Sequence, residues 1–260
     1  MSAIVRPSAQ PPARPPAHLA RALRLARLVT HFAQAGVVAG AGYPFMKPAR
    51  QRLCLQRWSR QLLHILATRL TIHGEPPREG EQFLLAGNHV SWLDIFAINA
   101  AVPTRFVAKS EIRGWPLVGW LCVKADTLFI ERTRRRDLAR LDDALATALR
   151  SGAGVGVFLE GTTTDGNAVL PFHSSLLRPA QQANVSVVPV AIRYRRIDGS
   201  ICTEAAYDGD KTVLDTLRLM LTQHEIHVHV HFLPPVSGEG VHRKEFARQT
   251  REVIVRTLFP

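Results

Sequence analysis

The first 74 residues contain no aspartate and no glutamate. The same stretch holds eleven Lys or Arg, so it carries +11 of the chain's formal +12, while residues 75–260 are left at +1. A segment so depleted in acid seeks a polyanion, either nucleic acid or an anionic membrane face. Cysteine is scarce too. Cys54, Cys122 and Cys202 lie far apart and form no CxxC pair. That excludes a disulfide framework and a cysteine zinc site, and it fits a reducing compartment. Long apolar runs are missing as well. The most apolar stretch, 28–46, is interrupted by His31, Gln34 and glycines, and it falls short of the roughly 20 strongly apolar residues that a spanning helix needs. There is no P-loop lysine after any glycine-rich turn, which argues against nucleotide phosphate binding.

The 260 residues, 46% hydrophobic and 21% charged, suit one α/β domain with an attached N-terminal segment. Residues 1–17 hold five prolines and few large apolar side chains. They read as a disordered tail, without the apolar core of a secretory signal. Residues 18–70 read as two amphipathic helices. Leu19, Leu23, Leu28 and Val29 recur at helical spacing beside Arg21, Arg24 and Arg27, and Leu53, Trp58, Leu62 and Leu66 follow. Two uses of such helices stay open at this point: lying in a membrane interface with arginines among the headgroups, or packing on the domain's own core.

From residue 71 the pattern alternates. Strands are expected at 82–87, 105–108, 127–131, 154–159, 185–194 and 226–233. Helices are expected at 91–101, 115–122, 135–151, 173–183, 210–223 and 242–258. Such alternation implies a largely parallel sheet covered by helices, and in these folds the loops leaving the carboxyl ends of strands carry the site. Two such loops stand out. In Asn88-His89-Val90-Ser91-Trp92-Leu93-Asp94, a helix starting near Ser91 brings Asp94 back within reach of the His89 ring. A carboxylate on one imidazole nitrogen fixes the tautomer and raises the basicity of the other. The bland alternative is a helix cap with an incidental histidine. In Glu160-Gly161-Thr162-Thr163-Thr164-Asp165-Gly166, glycines permit close backbone approach and exposed N–H groups can hold an anion. The bland alternative there is a polar turn. His227, His229 and His231 alternate along one strand. They share a face that could ligate metal or simply meet solvent.

Together the two loops resemble the glycerolipid acyltransferases typified by lysophosphatidic acid acyltransferase. Asn-His-x-Ser-x-x-Asp at 88–94 and Glu-Gly-Thr at 160–162 match that family's blocks. Lys109-Ser110-Glu111 with Pro116 and Gly119, Phe129-Ile130-Glu131-Arg132, and Val188-Pro189-Val190 follow its order over about residues 70–235. The resemblance implies an α/β glycerol-3-phosphate acyltransferase-like domain over 71–260, preceded by the membrane-associating pair at 18–70. It implies His89 as general base and Asp94 as its orienting partner. Asn88, Ser91, Lys109, Arg132, Glu160, Gly161, Thr162 and Thr163 would form the substrate site. No metal or cofactor is implied. The co-substrate would be acyl-CoA or acyl-carrier protein, the acceptor a lysolipid, and the place the cytoplasmic face of the inner membrane, on an anionic surface. Two positions depart from the pattern: Leu159 stands where the family usually has Pro, and Thr163 where it has Arg. The run Glu-Gly-Thr-Thr-Thr-Asp-Gly with Trp92 is similar to a bacterial subset that includes lyso-ornithine lipid acyltransferases. A nucleic-acid-binding protein remains the rival from another class. Its basic groups would spread over one folded face, whereas here they crowd into the first helices. A non-catalytic membrane-binding relative would have no use for the His89–Asp94 pair.

Overall fold

The computed structural model describes residues 17–78, 80–130 and 135–260. The tail at 1–16, and Arg132 with its neighbours Glu131, Thr133 and Arg134, lie outside the described residues. Seven strands form one sheet: β1 (Thr68–His73), β2 (Phe83–Gly87), β3 (Arg105–Lys109), β4 (Leu128–Ile130), β5 (Gly154–Phe158), β6 (Val187–Arg195) and β7 (Ile226–Phe232). Their spatial order is β1-β7-β6-β2-β5-β3-β4. The five strands from β6 to β4 run parallel. β7 turns antiparallel to β6, and β1 runs with β7. The sheet is therefore largely parallel, with one reversed flank.

The sequence explains the central strands directly. Phe83-Leu84-Leu85-Ala86-Gly87 is buried at every position, as a strand covered on both faces must be. Pro189 lies inside β6, where its missing N–H ought to break a ladder. The β6–β7 pairing begins only at Val190, so Pro189 sits just past its end, while its carbonyl still accepts the Leu233 N–H at 3.0 Å.

Helices cover both faces. On one side, α2 (Pro48–Ile65), α3 (Asp94–Ala101) and α7 (Val213–Thr222) enclose a core with Leu62, Leu85, Ile98, Tyr194, Met220 and Val228. On the other, α5 (Arg135–Arg150), α6 (Arg178–Ala183) and α8 (Arg243–Leu258) close over Leu84, Leu145, Val157 and Phe246. A short α4 (Val118–Lys124) follows β3 through a 3₁₀ turn at Ser110–Gly114. α1 (Ala17–Val37) runs into a π-helical turn at Val38–Gly42 and touches the body through Leu28 and Phe32.

The second helix was expected to reach residue 70. It ends at Ile65, Ala67 takes a φ of +51°, and β1 begins at Thr68. Thr68, Thr71 and Ile72 are β-branched and pack better on a pleated surface than in a helical turn. An edge position beside β7 decides it. α2 also proves to be part of the domain's core, since Leu62, Leu63 and Leu66 are buried.

Candidate active site

β2 and β5 are neighbours in register, with Gly87 opposite Phe158. The loops that leave their carboxyl ends are therefore forced together. After β2 the chain turns through His89 to Ser91 and enters α3 at Asp94, whose carboxylate folds back under the loop. Asp94 Oδ2 accepts hydrogen bonds from His89 Nδ1 (2.8 Å), Val90 N (2.8 Å) and Ser91 N (3.0 Å). Its Oδ1 accepts from the Tyr194 hydroxyl at 2.7 Å. Asp94 is fully buried, and a buried carboxylate is tolerable when donors saturate it in this way. Burial, with the adjacent Asp94 second, pushes the Tyr194 phenol well above its ordinary value, so it stays a hydrogen-bond donor.

The arrangement fixes the imidazole. Since Oδ2 can only accept, His89 Nδ1 carries the hydrogen, and the neutral ring's lone pair is on Nε2. The ring stacks on Phe158, with centroids 3.9 Å apart and planes 2° apart. Its side chain keeps 20% of its surface open. No hydrogen bond to Nε2 occurs among the described residues.

The second loop holds the first one in place. Glu160 accepts His89 N at 2.7 Å on Oε1 and Leu170 N at 2.6 Å on Oε2. Thr164 N donates to the His89 carbonyl at 2.9 Å. Both backbone groups of His89 are thus tied to the 160–166 loop. Burial raises the Glu160 pKa, and its two backbone donors partly offset that. Gly161 adopts a φ of +73°, which a side chain would make costly. Thr163 Oγ1 donates to the Tyr207 carbonyl, and Tyr207 N in turn donates to Val90 O at 2.8 Å.

The expected site residues separate into three groups. His89 and Asp94 meet as expected. Asn88, Ser91 and Glu160, expected beside substrate, lie behind the loop and are buried. Asn88 exchanges both amide hydrogen bonds with Ile192, at 3.0 and 2.8 Å, which ties β2's exit to β6. Ser91 Oγ caps Leu93 N. Thr162 is exposed, and so is Lys109 at the carboxyl end of β3, two strands across from β2 on the same sheet edge. Tyr194 and Phe158 were missed. Tyr194 shares the face of Ile192 on β6, and Phe158 is the last residue of β5, so each was in principle findable from strand parity once the strand order was known.

The alternating histidines form a separate cluster on the reversed flank. His73 Nε2 lies 3.0 Å from His229 Nδ1, and the His73 and His231 rings stack at 4.1 Å. Among the described residues, no group of three His, Cys, Asp or Glu side chains is placed to hold a metal ion.

The model of the family described as Acyltransferase matches residues 69–193. A lyso-ornithine lipid O-acyltransferase of Pseudomonas aeruginosa is 40% identical over 212 residues, covering 82% of this chain and 80% of the relative. A 1-acyl-sn-glycerol-3-phosphate acyltransferase of Neisseria meningitidis is 38% identical over 57% of this chain and 58% of its own length. Among solved structures, the crystal structure of a 1-acyl-sn-glycerophosphate (LPA) acyltransferase from Thermotoga maritima shares the fold, with a TM-score of 0.66 and 23% identity over 92% of this chain and 96% of that one.

Proposed function

The chain belongs to the acyltransferase family, and from that premise we propose that it moves a fatty acyl group from a thioester onto the hydroxyl of a lysolipid, with a lyso-ornithine lipid as the preferred acceptor. The observation that carries the reading is the His89–Asp94 pair, in which Asp94 accepts four hydrogen bonds, one of them from His89 Nδ1, and His89 Nε2 has no hydrogen bond among the described residues. His89 Nε2 takes the proton of the acceptor hydroxyl. The developing imidazolium is stabilised by Asp94, and the oxygen attacks the thioester carbonyl. Collapse of the tetrahedral adduct forms the ester and expels the thiolate, which takes the proton back from His89. No acyl-enzyme is required, because the thioester is already activated. Base assistance of this kind contributes roughly 10²–10⁴-fold. The thioester is acyl-CoA or acyl-carrier protein, and no metal takes part.

Lys109, Thr162, Gly161 and Arg132 are proposed to meet the substrates' polar groups. Asn88, Ser91 and Glu160 act from behind by fixing the backbone of His89. The acceptor preference rests on Thr163. Its hydroxyl is spent on the Tyr207 carbonyl, and it brings no cation to a position where the family usually has Arg. A lost charge-assisted contact to phosphate is worth about 1.5–3 kcal/mol, enough to favour a different head group. The two candidate acceptors come from the relatives' names.

The lipid acceptor requires a membrane, and we place residues 18–70 on the anionic cytoplasmic face of the inner membrane. No helix of the described residues is long and apolar enough to cross one, so attachment is interfacial. α1 leaves Leu19, Leu23, Leu25, Val29 and Val37 exposed beside its arginines, as an interfacial helix does. Acyl transfer by purified protein, with lyso-ornithine lipid and lysophosphatidate in competition, tests the proposal. A strong preference for lysophosphatidate rejects the aminolipid acceptor. Loss of transfer to both rejects the enzyme reading.

A further inference from the structure

The exposed apolar surface does not end with α1. Val37 is 69% exposed and Phe45 is 88% exposed, and beside them stands a second element from within the catalytic domain. In the segment from Trp115 to Val123, Trp115, Leu117, Trp120 and Val123 are all about two-fifths exposed. The two elements are in contact. A Cβ on Gly36 would lie 3.4 Å from Leu117 Cδ1, and one on Gly40 would lie 3.6 Å from Trp120 Cη2. Gly36 and Gly40, which interrupt the apolar run 28–46, are thus where Leu117 and Trp120 lean on it. One continuous apolar face results, and a water-facing monomer surface rarely keeps one of this kind without a partner.

Two backbone features hold the segment in this pose. Leu117 has φ +57° and ψ −53°, a conformation that leucine avoids and that persists only where the surroundings impose it. Gly119 packs so tightly on the preceding turn that a Cβ there would fall 2.3 Å from the Arg113 carbonyl. The charges at the rim are mostly positive. Lys124 Nζ sits 5.7 Å over the Trp120 ring, and Arg113, Lys47 and Arg50 are exposed. Of the nearby acids among the described residues, Asp126 is paired with Arg105 at 3.0 Å, which leaves Glu111. Tryptophan flanked by Lys and Arg is the side-chain combination that favours the headgroup layer of a bilayer.

We infer that the Trp115–Val123 segment is a second bilayer-contacting element, which enters an anionic lipid surface together with the end of α1 and Phe45. This rests on the membrane reading above and extends it from the N-terminal helices to the catalytic domain. The segment follows β3, which runs parallel to β2 and β5 in the sheet. The lipid-contacting segment therefore leaves the sheet at the same carboxyl-end side as the loop that carries His89.

The chain's tryptophans make the test direct. Trp58 and Trp92 have buried indole nitrogens, while Trp115 and Trp120 are exposed. Full-length protein is bound to phosphatidylglycerol–phosphatidylcholine vesicles whose acyl chains carry bromine, and tryptophan quenching is recorded together with co-sedimentation. Quenching should be pronounced in the wild type and mostly lost in W115F/W120F, which keeps the apolar surface and removes the reporters. W115D/W120D should weaken vesicle binding by about tenfold while leaving transfer to a detergent-dispersed acceptor unchanged. Vesicle-bound protein quenched equally with and without the two tryptophans overturns the inference and leaves membrane attachment through 18–70 intact. Protein that stays in the supernatant overturns both. Self-association abolished by W115D/W120D, without lipid quenching, assigns the face to a second copy and likewise overturns the inference.

Discussion

Histidine rings stack in two regions of this sheet, and only one of them has the carboxylate partner that the proposed base needs. At the exit of β2, His89 lies flat on Phe158 with a saturated carboxylate behind it. On the reversed flank, His73 lies flat on His231 and reaches His229, but no carboxylate hydrogen-bonds any of these three among the described residues. There, burial first and neighbouring histidines and arginines second lower the pKa of His229, and the same causes push His231 down to about 4. The lesson is chemical. Stacking and partial burial are common to both sites, so they do not make a base. A fixed acceptor on Nδ1 does, because it sets the tautomer and stabilises the cation that proton transfer creates.

Removing the proposed base should have the largest effect. His89→Ala is expected to lower kcat by roughly 10²–10⁴-fold with the thermal midpoint little changed, read by steady-state acyl transfer and circular dichroism. Full activity in that variant would erase the contrast. His229→Ala should leave kcat where it was, since its ring partner among the described residues is His73 of the other cluster.

Asp94→Asn sharpens the comparison. The amide oxygen must face Val90 N and Ser91 N, so the His89 tautomer survives and only the charge is lost. The amide NH₂ then meets the Tyr194 hydroxyl, which can accept as well as donate. Hydrogen bonds to charged groups are worth about 1.5–3 kcal/mol, so kcat should fall by roughly 10–100-fold, less than for Asp94→Ala. An equal loss in the two variants would show that the charge, not the tautomer, is what Asp94 provides.

Tyr194→Phe comes next. It removes one of four donors to Asp94 and should cost about tenfold in kcat, with KM for both substrates unchanged. A selective rise in KM would mean that Tyr194 reaches substrate.

The smallest effect belongs to the flank. The folded pKa of His231 is depressed from 6.5 to about 4, so the unfolded chain binds more protons between those values. Stability is therefore full above pH 6.5 and declines as pH falls toward 4. Melting midpoints across that range should decline less steeply in His231→Phe than in the wild type. Parallel curves would show that other groups govern the acid limb.

Much of the site was legible because it is local. His89 and Asp94 are five residues apart, and one helical start is enough to bring them together. The Glu160 loop was legible as a turn but not as a clamp, because its partners His89 N and Leu170 N come from sequence positions 71 before and 10 after it. Asn88 and Ser91 sit next to His89 in sequence, yet the β6 backbone and the α3 start consume their side chains. Proximity along the chain did not leave their polar groups free.

Alternating apolar runs, the glycine and proline positions and the acid-free first 74 residues determined by themselves a largely parallel α/β sheet, its two chemistry-bearing loops and the basic amphipathic start. These are properties of short windows, where period and turn chemistry act without long-range help. Strand order was decided only in three dimensions. It put Phe158 under His89, Tyr194 behind Asp94, the β7–β1 flank in reverse and Trp120 against Gly40. Each of these joins residues tens to more than a hundred positions apart. Such contacts depend on which edges and faces the whole chain can bury at once, a condition that no local window contains.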